Sequence, residues 1–150
     1  VGAGFIVGLP GQTNTNIAAN LLFLKKLNPH MVGTGPLITH PETPLAAHKN
    51  GSVEKTLITL AITRLLLPEV LLPATTALNT LDDNGWEKGF KAGANVIMPN
   101  ITPEFIREKY ELYKNKGSID VASIDKIKSR INKVNFKIDM GRGDHIHWKR

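Results

Sequence analysis

Short apolar runs alternate along the chain with longer stretches of helical spacing. Residues 2–9 (GAGFIVGL) form a glycine-spaced apolar run, short enough for a buried strand. Pro10 and Gly11 break it. Thr13 or Asn14 can cap a helix with Ile17, Leu21 and Leu24 on one face. Lys25, Lys26 and Asn28 mark its end, where cations complement the helix C-terminus. His30–Gly35 predicts a second strand. A long loop follows, GPLITHPETPLAAHKNG, and loops of this length in compact domains are often functional.

Ser52 caps a second predicted helix with Leu57, Leu60, Ala61 and Leu65 as its inward stripe, and Pro68 ends it. Val70–Ala74 predicts a third strand, followed by a TTALNT connection. Asp83 caps a short helix through Phe90, closed at Gly93. Asn95–Met98 predicts a fourth strand. Thr102-Pro103-Glu104 is a helix start, with Ile106, Tyr110 and Tyr113 on one face and Gly117 as the break. Ser123 starts a last helix with Ile124, Ile127 and Ile131 inside. A final strand is expected over Val134–Ile138, before an irregular tail, MGRGDHIHWKR.

This alternation predicts an α/β fold with parallel strands, which need helical crossovers. Four such units average about 28 residues, close to the roughly 31 per unit of a (β/α)8 barrel of about 250 residues. Half a barrel and a small doubly wound open sheet both satisfy the pattern. In either, a site lies beyond the C-terminal ends of the strands. Those positions are Gly8-Leu9-Pro10, Gly35-Pro36, Thr75-Thr76 and Met98-Pro99-Asn100.

Composition narrows the chemistry. The 150 residues contain no cysteine, which excludes disulfides, a cysteine nucleophile and an iron–sulfur cluster held by this chain alone. No run approaches the roughly 20 apolar residues of a membrane span, and the opening VGAGFIVGLP lacks the basic start of a signal peptide. A cytoplasmic protein without membrane partners is expected. The chain opens inside an apolar run at Val1, which predicts a piece of a longer protein. The net charge of +6 is uneven. Residues 1–100 carry seven Lys/Arg against six Asp/Glu, and residues 101–150 carry twelve against seven. A basic tail fits a solvated helix face or, alternatively, a non-catalytic nucleic-acid-binding domain. With only Phe136 and Trp148 as aromatics after Tyr113, stacking platforms for bases are sparse, and no nucleic-acid partner is expected.

The glycines of VGAGFIVG lie within a strand and not after it, so they do not form a dinucleotide-binding loop. Glycines inside a strand instead mark close approach of a ligand or another backbone. Thr75 and Thr76 can donate hydroxyls and backbone N–H groups to an anion, or cap a helix. His145 and His147 lack further metal ligands in sequence, and the Arg142-Gly143-Asp144 triplet reads as a turn. No catalytic residue is assigned.

Four segments carry a resemblance: GFIVGLPGQT (4–13), MVGTGPLITHPETPLA (31–46), RLLLPEVLLPATTALNTL (64–81) and AGANVIMPNITP (92–103). Together they resemble the biotin-synthase-like radical-SAM enzymes, and among these the maturases of FeFe hydrogenase. The resemblance runs in order over residues 1–116 and loosely from 117 on. It implies two parts, a half-barrel at 1–116 carrying strands five to eight of a (β/α)8 TIM barrel, and a C-terminal helix/strand extension at 117–150 packing on it. It implies reductive cleavage of S-adenosylmethionine at a 4Fe–4S cluster. The family's Cys-x-x-x-Cys-x-x-Cys ligands are absent here and belong to an N-terminal half, so this stretch alone is expected to be inactive. The implied substrate is an organometallic iron–cysteine precursor, with the other hydrogenase maturases as partners. An amino-acid-like substrate, as in methylornithine synthase, is the alternative within the class.

Carried over residue by residue, Gly4, Ile6 and Gly8 resemble the fifth strand, against which the adenine of S-adenosylmethionine packs. Gly35, Pro36, Leu37 and Ile38 resemble the segment after strand six that holds the adenine, and Met31 matches a methionine near the cofactor. Pro73, Thr75, Thr76 and Met98 resemble the lining of a lower cavity for carboxylate-like or anionic ligands, and Tyr110 and Tyr113 match tyrosines that close it. Asn79 and Trp86 depart from the family, which has glycine and commonly arginine there.

Overall fold

The computed structural model describes residues 1–99, 106 and 124–148. The predicted helix opening at Thr102, with Tyr110, Tyr113 and Gly117, and the start at Ser123 lie outside the described residues. In chain order the elements are β1 (Gly2–Val7), α1 (Asn14–Leu27), β2 (Met31–Pro36), α2 (Val53–Leu66), α3 (Thr76–Leu81), α4 (Gly85–Lys91) and α5 (Ile124–Asn132). The fold is mixed α/β.

The first βαβ unit follows the sequence pattern closely. Thr13 is the N-cap of α1, with its Oγ1 accepting the Asn16 N–H at 3.2 Å while Asn16 Oδ1 accepts the Thr13 N–H at 2.8 Å. This reciprocal pair satisfies two donors that the first helical turn leaves free. Ile17, Leu21 and Leu24 are its buried stripe, and Asn28 ends the helix in the left-handed region at φ 47°. β1 and β2 then pair in parallel, in register from Gly2–Met31 to Val7–Pro36. Val7 and Val32 face the helices, whereas Gly2, Gly4 and Gly33 are exposed on the opposite face.

The strands expected at Val70–Ala74 and Asn95–Met98 are reduced to single parallel bridges, Met31 to Leu71 and Pro73 to Val96. Two side chains explain this. Pro73 has no N–H to give to a ladder, and the Leu72 N–H is taken by the Asn95 side-chain carbonyl at 2.8 Å. The parallel direction nonetheless continues, with Val32 N–H donating to Leu71 C=O and Ala74 N–H to Val96 C=O, each at 2.9 Å.

Further expectations are corrected. α2 does not bury Leu57, Leu60, Ala61 and Leu65 as a stripe. Its buried residues are Thr56, Thr59, Leu60 and Thr63, and Leu65 is 79 % exposed. Each threonine hydroxyl donates to the carbonyl four residues back, at 2.8 Å, which makes the face apolar in effect. The TTALNT connection is helix α3, capped by Thr75. α4 begins after Asn84, with no side-chain cap, and not at Asp83. Gly93 does close it, at φ 108°. On α5, Ile127 and Ile131 are buried but Ile124 is exposed. No strand forms over Val134–Ile138; Val134 and Ile138 pack on the cluster of Ala74, Trp86, Phe90, Ile127 and Ile131. A larger cluster, with Leu24, Val32, Leu60, Leu72 and Leu78, fills the space between sheet and helices.

The tail folds back to the end of the sheet where β2 begins. The His145 ring stacks on His30, with centroids 4.7 Å apart, and His147 Nε2 lies 2.8 Å from Glu69 Oε2. Among the described residues no group of three His, Cys, Asp or Glu is placed to hold a metal. The Arg142-Gly143-Asp144 triplet is closed by its own ion pair at 3.0 Å. No helix among the described residues is long and apolar enough to cross a membrane.

Candidate functional site

The open face of the sheet carries a groove of about 490 Å³ at the C-terminal ends of β1 and β2. Gly4, Ile6, Gly35, Pro36, Leu37, Ile38 and Thr75 line it, together with Gly33. Seven of the residues singled out in the sequence therefore converge on one surface. None of the lining residues is ionisable. The groove is a neutral, mostly apolar wall with glycine backbone at Gly4, Gly33 and Gly35, suited to an uncharged group that approaches the main chain closely.

The glycines are of two kinds. A Cβ on Gly4 would collide with the Gly33 backbone, and one on Gly35 would sit 2.6 Å from Thr75 Oγ1. These two are required by packing. A Cβ on Gly33 would meet nothing within 4 Å. Gly33 thus leaves open space that no protein atom uses.

Backbone at the mouth is fixed by Gln12, which sequence reasoning passed over. Its Oε1 accepts the Gly8 N–H at 2.7 Å and its Nε2 donates to the Ile6 C=O at 2.8 Å. Val7 C=O is already used by Leu37 N–H on the β2 side. Alternation along a strand therefore directs the Ile6 and Gly8 groups to the outer edge. There the Gln12 amide bonds both groups. Gly8 itself is at φ 95°, and a Cβ on it would lie 2.5 Å from Gly51 Cα. The available signal was a residue with both a donor and an acceptor directly after a glycine-ended strand.

Met31, Pro73, Thr76 and Met98 are placed elsewhere. Met31 stands at the opposite end of β2 from Pro36. It lines a second cavity of about 590 Å³, with Leu71, Val96, Ile127, Ile138 and Met140. Pro73 is fully buried at its bridge to Val96. Thr75 caps α3, its Oγ1 accepting the Leu78 N–H at 3.2 Å, and also borders the groove. Thr76 is the first residue of α3, and its carbonyl accepts from Thr80 Oγ1 at 3.0 Å. Met98 is 56 % exposed and does not line the groove.

No family model matches the chain. A comparison with curated proteins finds the FeFe hydrogenase maturase subunit HydE of Thermotoga maritima, 52 % identical over 115 residues. That stretch is 77 % of this chain and 33 % of HydE, so the match spans a third of the length of that relative. Across most of its own length, this chain is similar in sequence to a hydrogenase maturase subunit, HydE.

Proposed function

We propose that this chain is part of a radical-SAM enzyme of FeFe-hydrogenase maturation, and that the glycine-walled groove holds the adenine end of S-adenosylmethionine. The carrying observation is the open space at Gly33. It lies beside Gly4, Ile6 and Gly35–Ile38, on a chain 52 % identical to HydE over 115 residues. The run of parallel pairings, β1 to β2 and then through Leu71 and Val96, supports strands five to eight of a (β/α)8 barrel. Groove residues at the C-terminal strand ends are where such a barrel places its ligand.

When bound, S-adenosylmethionine supplies a 5′-deoxyadenosyl radical on reductive cleavage. The residues of this chain contribute shape and exclusion of water. Ile6 offers an apolar edge, the glycines allow close approach, and Gln12 fixes the Ile6–Gly8 backbone. With no cysteine in the sequence, the thiolates of a 4Fe–4S cluster come from outside these residues. The substrate proposed on this reading is an organometallic iron–cysteine precursor.

Gly33→Val in the full-length protein tests the groove. The side chain enters space free of protein atoms, and valine suits a strand, so thermal stability should hold to within about 1 kcal/mol. Affinity for S-adenosylmethionine should fall at least about tenfold, about 1.4 kcal/mol, since the added side chain fills space the ligand would occupy. A folded variant that binds the cofactor as the parent does removes the groove from the site.

A further inference from the structure

We infer that Arg130, on the C-terminal helix α5, is a positioning residue for the groove, acting through α3 on Thr75. The inference rests on the groove being the cofactor site. The three N–H groups on Nε and Nη2 of one guanidinium are shared among four acceptors. Its Nε and Nη2 reach the two carboxylate oxygens of Glu87 at 2.7 and 2.6 Å, and Nη2 also donates to Asn79 Oδ1 at 2.8 Å and Asp83 C=O at 2.6 Å. The same group lies over the Trp86 ring, 4.7 Å from its centroid. Arg130 thereby ties α5 to α3, to the connection after it and to α4. A planar fork over an aromatic face is geometry that lysine cannot reproduce.

The link to the groove runs through Asn79. This side chain is 5 % exposed, and its Oδ1 accepts from both Arg130 and the Trp86 N–H, the latter at 3.4 Å. The Asn79 N–H in turn donates to the Thr75 C=O at 3.3 Å. A six-residue helix does not hold its place by its own hydrogen bonds. α3 stays where its neighbours pin it, and Thr75, its cap, forms one wall of the groove against Gly35. A shift of α3 moves Thr75 Oγ1 across that wall. The C-terminal extension, read in sequence as a solvated basic face, thus reaches the cofactor end of the fold.

The test compares Arg130→Met and Arg130→Lys in the full-length protein, with S-adenosylmethionine as the probe in equilibrium binding. Amide exchange at Leu78 and Asn79 is followed in parallel. Arg130→Met should weaken binding about tenfold and speed that exchange by a similar factor, with Arg130→Lys between it and the parent. In a Thr75→Val background, Arg130→Met should cost little more, because both act on the same contact. Full independent effects in the double variant would mean general loosening and overturn the inference. So would a folded Arg130→Met variant with parental affinity. Should the parent fail to bind S-adenosylmethionine, the groove reading falls. Exchange at Leu78 and Asn79 then decides the positioning role, and parental exchange in Arg130→Met rejects it. Asn79→Ala supplies the same comparison if Arg130→Met does not fold.

Discussion

Thr34 is 1 % exposed, and its Oγ1 has no hydrogen-bond partner, unlike the hydroxyls of Thr56, Thr59 and Thr63. A buried hydroxyl left unpaired costs roughly 1–3 kcal/mol relative to an apolar group of the same shape. Thr34→Val should therefore stabilise the protein by about 1 kcal/mol, seen as a higher urea midpoint at unchanged slope. A lower midpoint would show that the hydroxyl has a partner in solution. The contrast with α2 also explains why its inward stripe was misread. Threonine is polar by type, and only the helical backbone shows that its hydroxyl can be spent on the carbonyl one turn back. Close backbone approach at Gly4 and Gly35 was legible because glycine within a strand marks it, and the structure shows that approach as packing on Gly33 and Thr75. The role of Gln12 was not, since it depends on which β1 backbone groups point away from β2.

For the elements, the β1 backbone groups that point away from β2 at Ile6 and Gly8 are bonded by one side chain, Gln12. Gln12→Ala should cost about 1–2 kcal/mol, the worth of two net hydrogen bonds. It should also raise amide exchange at Gly8 while leaving α1 protected. Unchanged exchange at Gly8 would remove Gln12 from this role. Helix starts were readable where a cap precedes a long helix, as at Thr13 and Ser52, but not at Thr75, whose helix has only six residues. The elements that failed did so through tertiary contacts that no local pattern contains. Asn95 takes a ladder donor of the segment before it, Pro73 removes another, and Val134–Ile138 gives its apolar residues to a helix cluster instead of a sheet.

In the whole molecule, α5 is joined to α3 and α4 by charge as well as by Ile127 and Ile131. Burial pushes the Glu87 carboxyl up. The hydrogen bonds and positive charge of Arg130 outweigh this and hold it below its ordinary value of 4.5. A carboxylate depressed in the folded state contributes stability above its unfolded value and loses it as pH falls through the folded one. Stability should thus decline on acidification below about pH 5, and Glu87→Gln should flatten part of that decline in urea melts taken across pH. Asp82, held low by its hydrogen bond to Lys88, accounts for a further part. An unaltered slope in Glu87→Gln would place the acid sensitivity elsewhere. At this scale the likeness to a maturase was legible from four short segments, whereas the dependence of Thr75 on a residue 55 positions away was not. Asn79 and Trp86, where the resemblance led to an expectation of glycine and arginine, are two of the groups that Arg130 touches, beside Glu87 and the Asp83 carbonyl. The wall formed by Gly4, Gly33 and Gly35 has one more consequence. Where a wall is shaped by missing side chains, the glycine positions themselves offer no group to exchange for a different preference. Evolution can narrow the space there, but can widen it only by moving the main chain itself. Change in what such a protein recognises should then be sought in the surrounding loops and helices before it is sought in these glycines.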